Sequence, residues 1–412
     1  MEYKAEEVLD VAMEVGVNLL RCGAEIRRVE DTITYISKAY GATEVNVFAI
    51  PSLIIATIVF EGRTYTTKVK RNYSITTDLF RLEKYNKLSR KISKEKPSLQ
   101  EVREEVEYIE NIKDYNTFIL YLGAIISAGC FAIFFGGTIL DGVAAGIVAI
   151  FMTLFLRFEF IKFNQFVRIL LCSLIGGLFS VLMCLIGIGD NLSYVMSGAI
   201  MIVIPGLAIG TSIRDIMSSD VISGSVRLLE AIVISAAVAA GFSIFAKIYA
   251  GNITLNSNAN WLVMLISGGI ASVGYGIVFN NKYKHLPIVG VGALLATLTY
   301  LIANELAANS FVAVMCGTIF ATLLAELLAR LLKSPTTVFL IPAIIPFVPG
   351  ARLFFMMYSL LNSDMVLAKS NFNELMLASL GIAVGTILAG VFAQIIIKSI
   401  KKIKSMKTIK TN

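Results

Sequence analysis

The sequence predicts an α-helical polytopic membrane protein: about ten transmembrane helices as two inverted five-helix repeats, preceded by an α+β cytoplasmic domain. Three observations predict it. Of 412 residues, 56% are hydrophobic and only 16% charged, with a mean hydropathy of +0.76, the balance of a multi-span membrane protein rather than a soluble domain. The charge is also uneven, since residues 1 to about 116 are polar whereas 117–397 read as long apolar blocks joined by short polar loops. Finally, Pro205-Gly206, Asp220 and Glu230 recur as Pro349-Gly350, Asp364 and Glu374, every member displaced by 144 positions. Proline, glycine and ionised carboxylates are costly in a bilayer, so a duplicated set in one ungapped register points to a transporter built from two repeats.

The amino-terminal region, residues 1–115, comes first. Residues 4–22 carry Val8, Leu9, Ala12, Val15 and Leu19 at helical spacing, Gly23 punctuates, and Ala24 to Ala39 resume a helix with Ile26, Val29, Ile33 and Ile36 on one face. Glu44 to Phe60 and Arg63 to Lys70 are rich in β-branched residues, with Pro51 and Glu61-Gly62 as interruptions, which predicts a small antiparallel meander. From Thr77 to about Lys113 two more helices are expected, the second opened by a capping box at Ser98 and Glu101. The acidic, amphipathic first residues lack the apolar core of a secretory signal, so this region is expected on the side of synthesis.

The apolar part divides into spans near 117–137, 141–157, 166–187, 193–213, 228–249, 260–280, 286–304, 310–332, 336–359 and 373–397, of which the second and seventh are short against the roughly 20 residues a bilayer core requires. Alternate loops collect Arg157, Lys162 and Arg168, then Arg214 and Arg227, Lys282 and Lys284, Arg330 and Lys333, and the tail; the opposite loops hold little beyond Lys247 and Lys369. That asymmetry places both termini in the cytoplasm. Five spans per unit, an odd number, make the second unit (256–412) enter the membrane opposite to the first (116–255).

Within the spans, Pro205-Gly206 and Pro349-Gly350 should kink or split a helix and leave backbone groups able to face a ligand; a kink serving helix contact alone is the plainer alternative. Arg352 lies about 16 residues into span 9, roughly 24 Å along a straight helix. If the helix restarts after Gly350, its guanidinium adds to a positive helix end and suits a carboxylate; snorkelling to the outer interface is the alternative. Asp220 and Glu230 are expected at the cytoplasmic mouth and Asp364 and Glu374 at the outer one, as proton-coupling or gating groups or as solvated loop residues. Asp215, at the end of span 4, joins that set. Trp261 reads as an interfacial anchor.

Catalysis and metal binding find little support. Residues 1–115 contain no histidine, the single one being His285, and four of five cysteines (Cys130, Cys172, Cys184 and Cys316) lie in apolar spans, so neither a nucleophile–base pair, a zinc site nor a cofactor is expected. The charged run Glu25-Ile26-Arg27-Arg28-Val29-Glu30-Asp31 is read first as intrahelical ion pairs of Glu25 with Arg28 and Arg27 with Asp31, with a contact surface or substrate-gathering role as the alternative. Basic residues gathered in the short loops and tail signal orientation rather than nucleic-acid binding.

The segment Asn18-Leu19-Leu20-Arg21-Cys22-Gly23-Ala24-Glu25-Ile26-Arg27-Arg28-Val29-Glu30-Asp31-Thr32, followed by Gly41, Pro51-Ser52 and five spans, resembles the amino-terminal half of the threonine/serine exporter family. Pro349-Gly350-Ala351-Arg352-Leu353-Phe354-Phe355-Met356-Met357-Tyr358 resembles its carboxy-terminal half. A plasma-membrane location is expected, with a small-molecule substrate, the lipid bilayer, protons and a second copy of the chain as partners. The resemblance implies export of threonine and serine driven by the proton-motive force; some two-component relatives are associated with dicarboxylate efflux. Gly23 and Glu30-Asp31 are its family-like positions in the soluble domain. A membrane-anchored hydrolase or sensor acting through residues 1–115 is the reading from another class.

Overall fold

The computed structural model describes residues 4–60, 62–66, 69–72, 76–158, 164–249 and 259–410. Glu61, Lys162 and the expected 255/256 boundary lie outside the described residues. The chain forms two compact units, one comprising 1–116 with the short segments 279–283 and 332–338, the other the remainder.

In the amino-terminal unit, α1 (Ala5–Arg21) and α2 (Ile26–Ala39) form as expected, joined by Gly23, whose φ of +83° suits a residue without Cβ. Helix α1 is not simply amphipathic. Val8, Val11, Ala12, Met13, Val15, Leu19 and Leu20 are all inaccessible, because α2, the sheet, α3 (Leu79–Glu95) and α4 (Leu99–Glu110) all contact it. The helices approach closely at Gly16, where an added Cβ would lie 2.6 Å from Ile33 Cδ1. Strands β1 (Glu44–Ile50) and β2 (Leu53–Phe60) make a hairpin across Pro51-Ser52, with Ile50 opposite Leu53, and β3 (Arg63–Thr66) and β4 (Lys70–Arg71) pair with β2. Alternation along β2 buries Ile54, Ala56 and Ile58. Asp78 caps α3 by accepting from the Arg81 N–H at 2.8 Å, and Ser98 caps α4 by accepting from the Glu101 N–H at 3.3 Å.

The same unit includes the connection 279–283. Leu79 and Phe80 N–H groups donate to the carbonyls of Phe279 and Asn280, and Lys282 Nζ reaches the buried Glu83 carboxylate at 2.6 Å, which Lys87 also meets at 2.9 Å. Burial pushes the Glu83 carboxyl up, but the two lysine ammoniums outweigh it and hold the group below its usual range.

In the second unit the helices are α5 (Thr117–Phe134), α6 (Ile139–Arg157), α7 (Gln165–Leu185), α8 (Leu192–Ile200), α9 (Gly206–Met217), α10 (Val221–Tyr249), α11 (Trp261–Val278), α12 (Leu286–Ala307), α13 (Ser310–Leu331), α14 (Thr337–Ile344), α15 (Gly350–Leu361) and α16 (Met365–Lys410). Among the described residues eight are long and apolar enough to cross a membrane, and α14 with its following 3-10 turn and α15, bent by 47°, make a ninth candidate. The count of about ten differs at the expected fourth span. There α8 has nine residues and α9 twelve, neither sufficient alone, because Pro205 supplies no N–H and the chain leaves the helix from Met201 to Pro205.

Helix bounds carry the 144-residue displacement further than the identities do. Both ends of α5 map onto α11 and both ends of α9 onto α15, α10 and α16 begin at equivalent positions, and the turns before them place Ser219 and Ser363 at φ +75° and +60°. Contacts follow suit: α7 with α10 as α13 with α16, α9 with α10 as α15 with α16, and α9 with α16 as α15 with α10. Small residues permit the close approaches, as at Gly241, whose added Cβ would sit 2.6 Å from Ser173 Cβ of α7.

Candidate functional site

The two Pro-Gly pairs build the same local structure. Pro205 (φ −82°, ψ 41°) and Pro349 (φ −79°, ψ 44°) occupy the position before the first helical residue, so α9 starts at Gly206 and α15 at Gly350. They also meet. A Cβ on Gly206 would lie 2.6 Å from Val348 Cγ1 and 2.9 Å from Gly350 Cα, and one on Gly350 would lie 2.8 Å from Ile204 Cγ2 and 3.3 Å from Met201 Sδ. Only glycine lets the two breaks touch. Tyr275 of α11 donates its hydroxyl to the Met201 carbonyl, an acceptor that the break removes from helical pairing.

Arg352 stands at the third residue of α15, half-buried, in the turn whose N–H groups have no helical acceptor. Its Nη1 donates to Asn371 Oδ1 of α16 at 3.4 Å, and Asn371 is oriented by donating its own Nδ2 to the Leu367 carbonyl at 2.9 Å. Arg352 makes no ion pair among the described residues. One turn beyond Asn371, the half-buried Glu374 accepts from Ser310 Oγ of α13 at 2.8 Å. The hydroxyl of Tyr300 on α12 lies in the field of both Arg352 and Glu374, and its ring rests on Phe347 with centroids 5.4 Å apart. A cation, a carboxylate, an amide and two hydroxyls from four helices thus gather beside the second break.

Helix α9 carries a different cluster. Asp215, 7% exposed, meets Arg214 Nη2 at 3.2 Å and Arg227 Nη1 of α10 at 3.3 Å. The 144-residue displacement relates Arg227 to Asn371, Asp215 to Ser359 and Arg352 to Ala208. In each half the same position on the long helix reaches across to the short one, with the chemistry changed.

The remaining expected residues divide. Glu230 and Glu374 lie inside α10 and α16, nine residues past their starts and within the spans expected at 228–249 and 373–397, the helices beginning earlier than those spans, directly after the turns at Ser219 and Ser363; Glu230 is exposed. Asp364 Oδ1 accepts from the Leu367 N–H at 3.0 Å, a helix cap. Asp220 donates its N–H to the Asp215 carbonyl, as Asp364 does to that of Ser359. In the amino-terminal unit Glu25 precedes α2, Glu30 Oε1 accepts from the Ala49 N–H of β1 at 2.9 Å, and Asp31 is exposed. The pairs expected of Glu25 with Arg28 and of Arg27 with Asp31 do not form among the described residues, since Glu25 stands in extended backbone before the helix and Asp31 faces solvent.

Sequence reasoning passed over Tyr275, Tyr300, Ser310 and Asn371. Only Asn371 had a signal, as the displaced counterpart of Arg227. Asp141 was also missed: 1% exposed, its carboxylate accepts from the N–H groups of Thr138, Asp190 and Asn191 at 2.9, 2.9 and 2.8 Å, fastening the connection before α8 to the start of α6. Among the described residues no group of three or more metal-ligating side chains occurs.

A family model for threonine/serine exporters (ThrE) matches residues 10–249, and a second, "Threonine/Serine exporter, ThrE", matches residues 264–392. The "Threonine/serine exporter" of Corynebacterium glutamicum is 21% identical over 405 residues, covering 92% of this chain and 81% of that protein. An uncharacterized protein of Schizosaccharomyces pombe is 20% identical over 293 residues, covering 66% of this chain and 35% of that one. No solved structure matches. The chain belongs to the threonine/serine exporter family.

Proposed function

We propose that this chain exports threonine and serine across the cell membrane, coupled to protons, by alternating exposure of a site beside the crossed Pro-Gly breaks. The observation that carries this reading is the contact of the two breaks next to Arg352, Asn371, Glu374 and Tyr300. Arg352, with the Ala351 and Arg352 N–H groups in the first turn of α15, takes the substrate carboxylate. Glu374 takes the ammonium or a proton, and Asn371 and Tyr300 offer partners for the side-chain hydroxyl. Asp215 with Arg214 and Arg227 acts as a charged latch in the other half, its pairs exchanged as α9 moves against α10.

The same reading has ten spans, with α8–α9 and α14–α15 as broken ones, in two inverted repeats over 116–255 and 256–412, behind a cytoplasmic α+β domain at 1–115. The equivalent helix bounds support the repeat. Inclusion of 279–283 and 332–338, with Lys282 and Lys333, in the amino-terminal unit supports a cytoplasmic side for both connections and both termini. A dicarboxylate is less well suited, because the second candidate cation, Arg214, is engaged by Asp215 and the Arg352 cluster includes a carboxylate. Hydrolysis by residues 1–115 is not favoured either: burial first, and Asp78 next, push the Cys22 thiol up to about 12, leaving no thiolate near neutrality.

The test is efflux from cells loaded with a threonine-containing dipeptide. Arg352→Ala should reduce threonine efflux at least about tenfold, the loss of one charged contact, while leaving membrane insertion intact; Glu374→Gln should blunt its dependence on the proton gradient. Full efflux by Arg352→Ala removes Arg352 from the site, and unchanged efflux on expressing the parent chain defeats the reading altogether.

A further inference from the structure

The amino-terminal unit holds a cleft that transport through the membrane unit does not use. It joins two recesses, of ≈ 540 and ≈ 220 Å³, which share Asn18, Arg21 and Glu110 as lining. At its floor the side chain of Asn18, 5% exposed, stands between charges of opposite sign: Nδ2 donates to Glu110 Oε1 at 2.7 Å, while Oδ1 accepts from Arg21 Nη1 at 3.3 Å. An arginine and a glutamate this near would ordinarily neutralise each other directly. Here a buried amide spaces them, and among the described residues neither makes an ion pair. Glu14 and Arg71, also without ion pairs among the described residues, repeat the two signs along the wall of the larger recess.

The wall is rigid. The Arg21 and Cys22 carbonyls accept from the Thr76 and Asp78 N–H groups at 2.9 and 3.2 Å, so the end of α1 is tied to the strand-to-helix segment. Gly23 fits there because an added Cβ would lie 3.2 Å from the Thr76 carbonyl oxygen. An exposed anion and an exposed cation held apart by one amide suit a small ligand whose ammonium and carboxylate are joined through a single carbon, since each charge then meets its opposite.

We propose that this cleft binds a free zwitterionic α-amino acid, its carboxylate on Arg21 and Arg71 and its ammonium on Glu110 and Glu14, as a second site apart from the one beside Arg352. Asp78 and Arg81 line the smaller recess and also hold Asn280, directly at 3.1 Å for Asp78 and through Asp114 for Arg81, so an occupant meets the side chains that fasten the 279–283 connection. The proposal stands independently of the transport reading.

Calorimetric titration of the full chain in detergent with L-threonine tests it, in an Arg352→Ala background that disables the membrane site. One saturable binding event is expected. Glu14→Gln with Arg71→Ala, both at the cleft wall and verified as folded by thermal melting, should weaken it at least about tenfold. L-threonine methyl ester and N-acetyl-L-threonine, each lacking one charge, should lose at least as much. Absence of binding, binding indifferent to the two cleft substitutions, or sulfate binding as tightly as threonine would each overturn the assignment, the last by making the cleft a plain anion site.

Discussion

Alanine at Gly206 tests the crossing of the breaks most directly. Its Cβ would lie 2.6 Å from Val348 Cγ1, 2.9 Å from Gly350 Cα and 3.1 Å from Gly350 N; against an ordinary contact of 3.4 Å the shortfalls are 0.8, 0.5 and 0.3 Å. Val348 can change rotamer, but the Gly350 atoms are backbone and move only if α15 moves. Overpacking of this kind costs about 1–3 kcal/mol. Gly210→Ala, one turn further along α9, is the internal control, because its nearest neighbour would be Ile382 Cδ1 at 3.4 Å, and glycine replacement in a helix interior gains roughly 0.5–1 kcal/mol. Thermal melting of both purified variants should therefore show Gly206→Ala below the parent and Gly210→Ala at or above it. If transport moves the breaks past each other, the same energy falls on one state and changes threonine efflux by about 5- to 150-fold. Indistinguishable melting and efflux for the two variants would refute the close approach.

Three further outcomes follow from named contacts. Tyr275→Phe removes the donor to the Met201 carbonyl and should cost about 1–2 kcal/mol, measured by melting; phenylalanine is already present at the displaced position, Phe131, so the ring itself is tolerated. Asp141→Ala deprives three backbone N–H groups of their acceptor and should cost about 2–3 kcal/mol, moderated by solvent access at Asp190 and Asn191. Because the Glu83 carboxyl is held below its ordinary 4.5, its contribution is complete above that value and declines as pH falls through the lowered one. Acid titration followed by melting should show less loss below pH 4.5 in Glu83→Gln, which starts less stable, than in the parent.

Much of the site was legible because rare residues stand out against an apolar background. Proline cannot donate and glycine carries no Cβ, so the Pro-Gly pairs announce broken helices whatever surrounds them, and α9 and α15 begin where that logic puts them. The carboxylates were harder. Asp364 turned out to cap a helix, since a helix starting directly after the Ser363 turn takes its polar first turns from residues that otherwise resemble a loop, whereas Glu374 lies inside α16 as its expected span had it. The expected pairs Glu25–Arg28 and Arg27–Asp31 failed for a related reason: spacing makes a pair available only along one helix, but Glu25 stands before the first turn in extended backbone and Asp31 faces solvent.

The amino-acid sequence alone determined the membrane class, the polar amino-terminal region, the 144-residue displacement and the place of Arg352 directly after the second Pro-Gly pair, all properties of composition or of backbone chemistry carried by single residues. Tertiary structure alone decided that the two breaks touch, that Asn371 and Arg352 face each other while Arg227 serves Asp215, that Tyr300 joins Glu374 beside them, and that Asn18 spaces Arg21 from Glu110. These are meetings of side chains up to 144 residues apart and more, set by how helices cross, and local pattern contains no information about which distant residue will fill the space opposite a glycine or accept from a guanidinium.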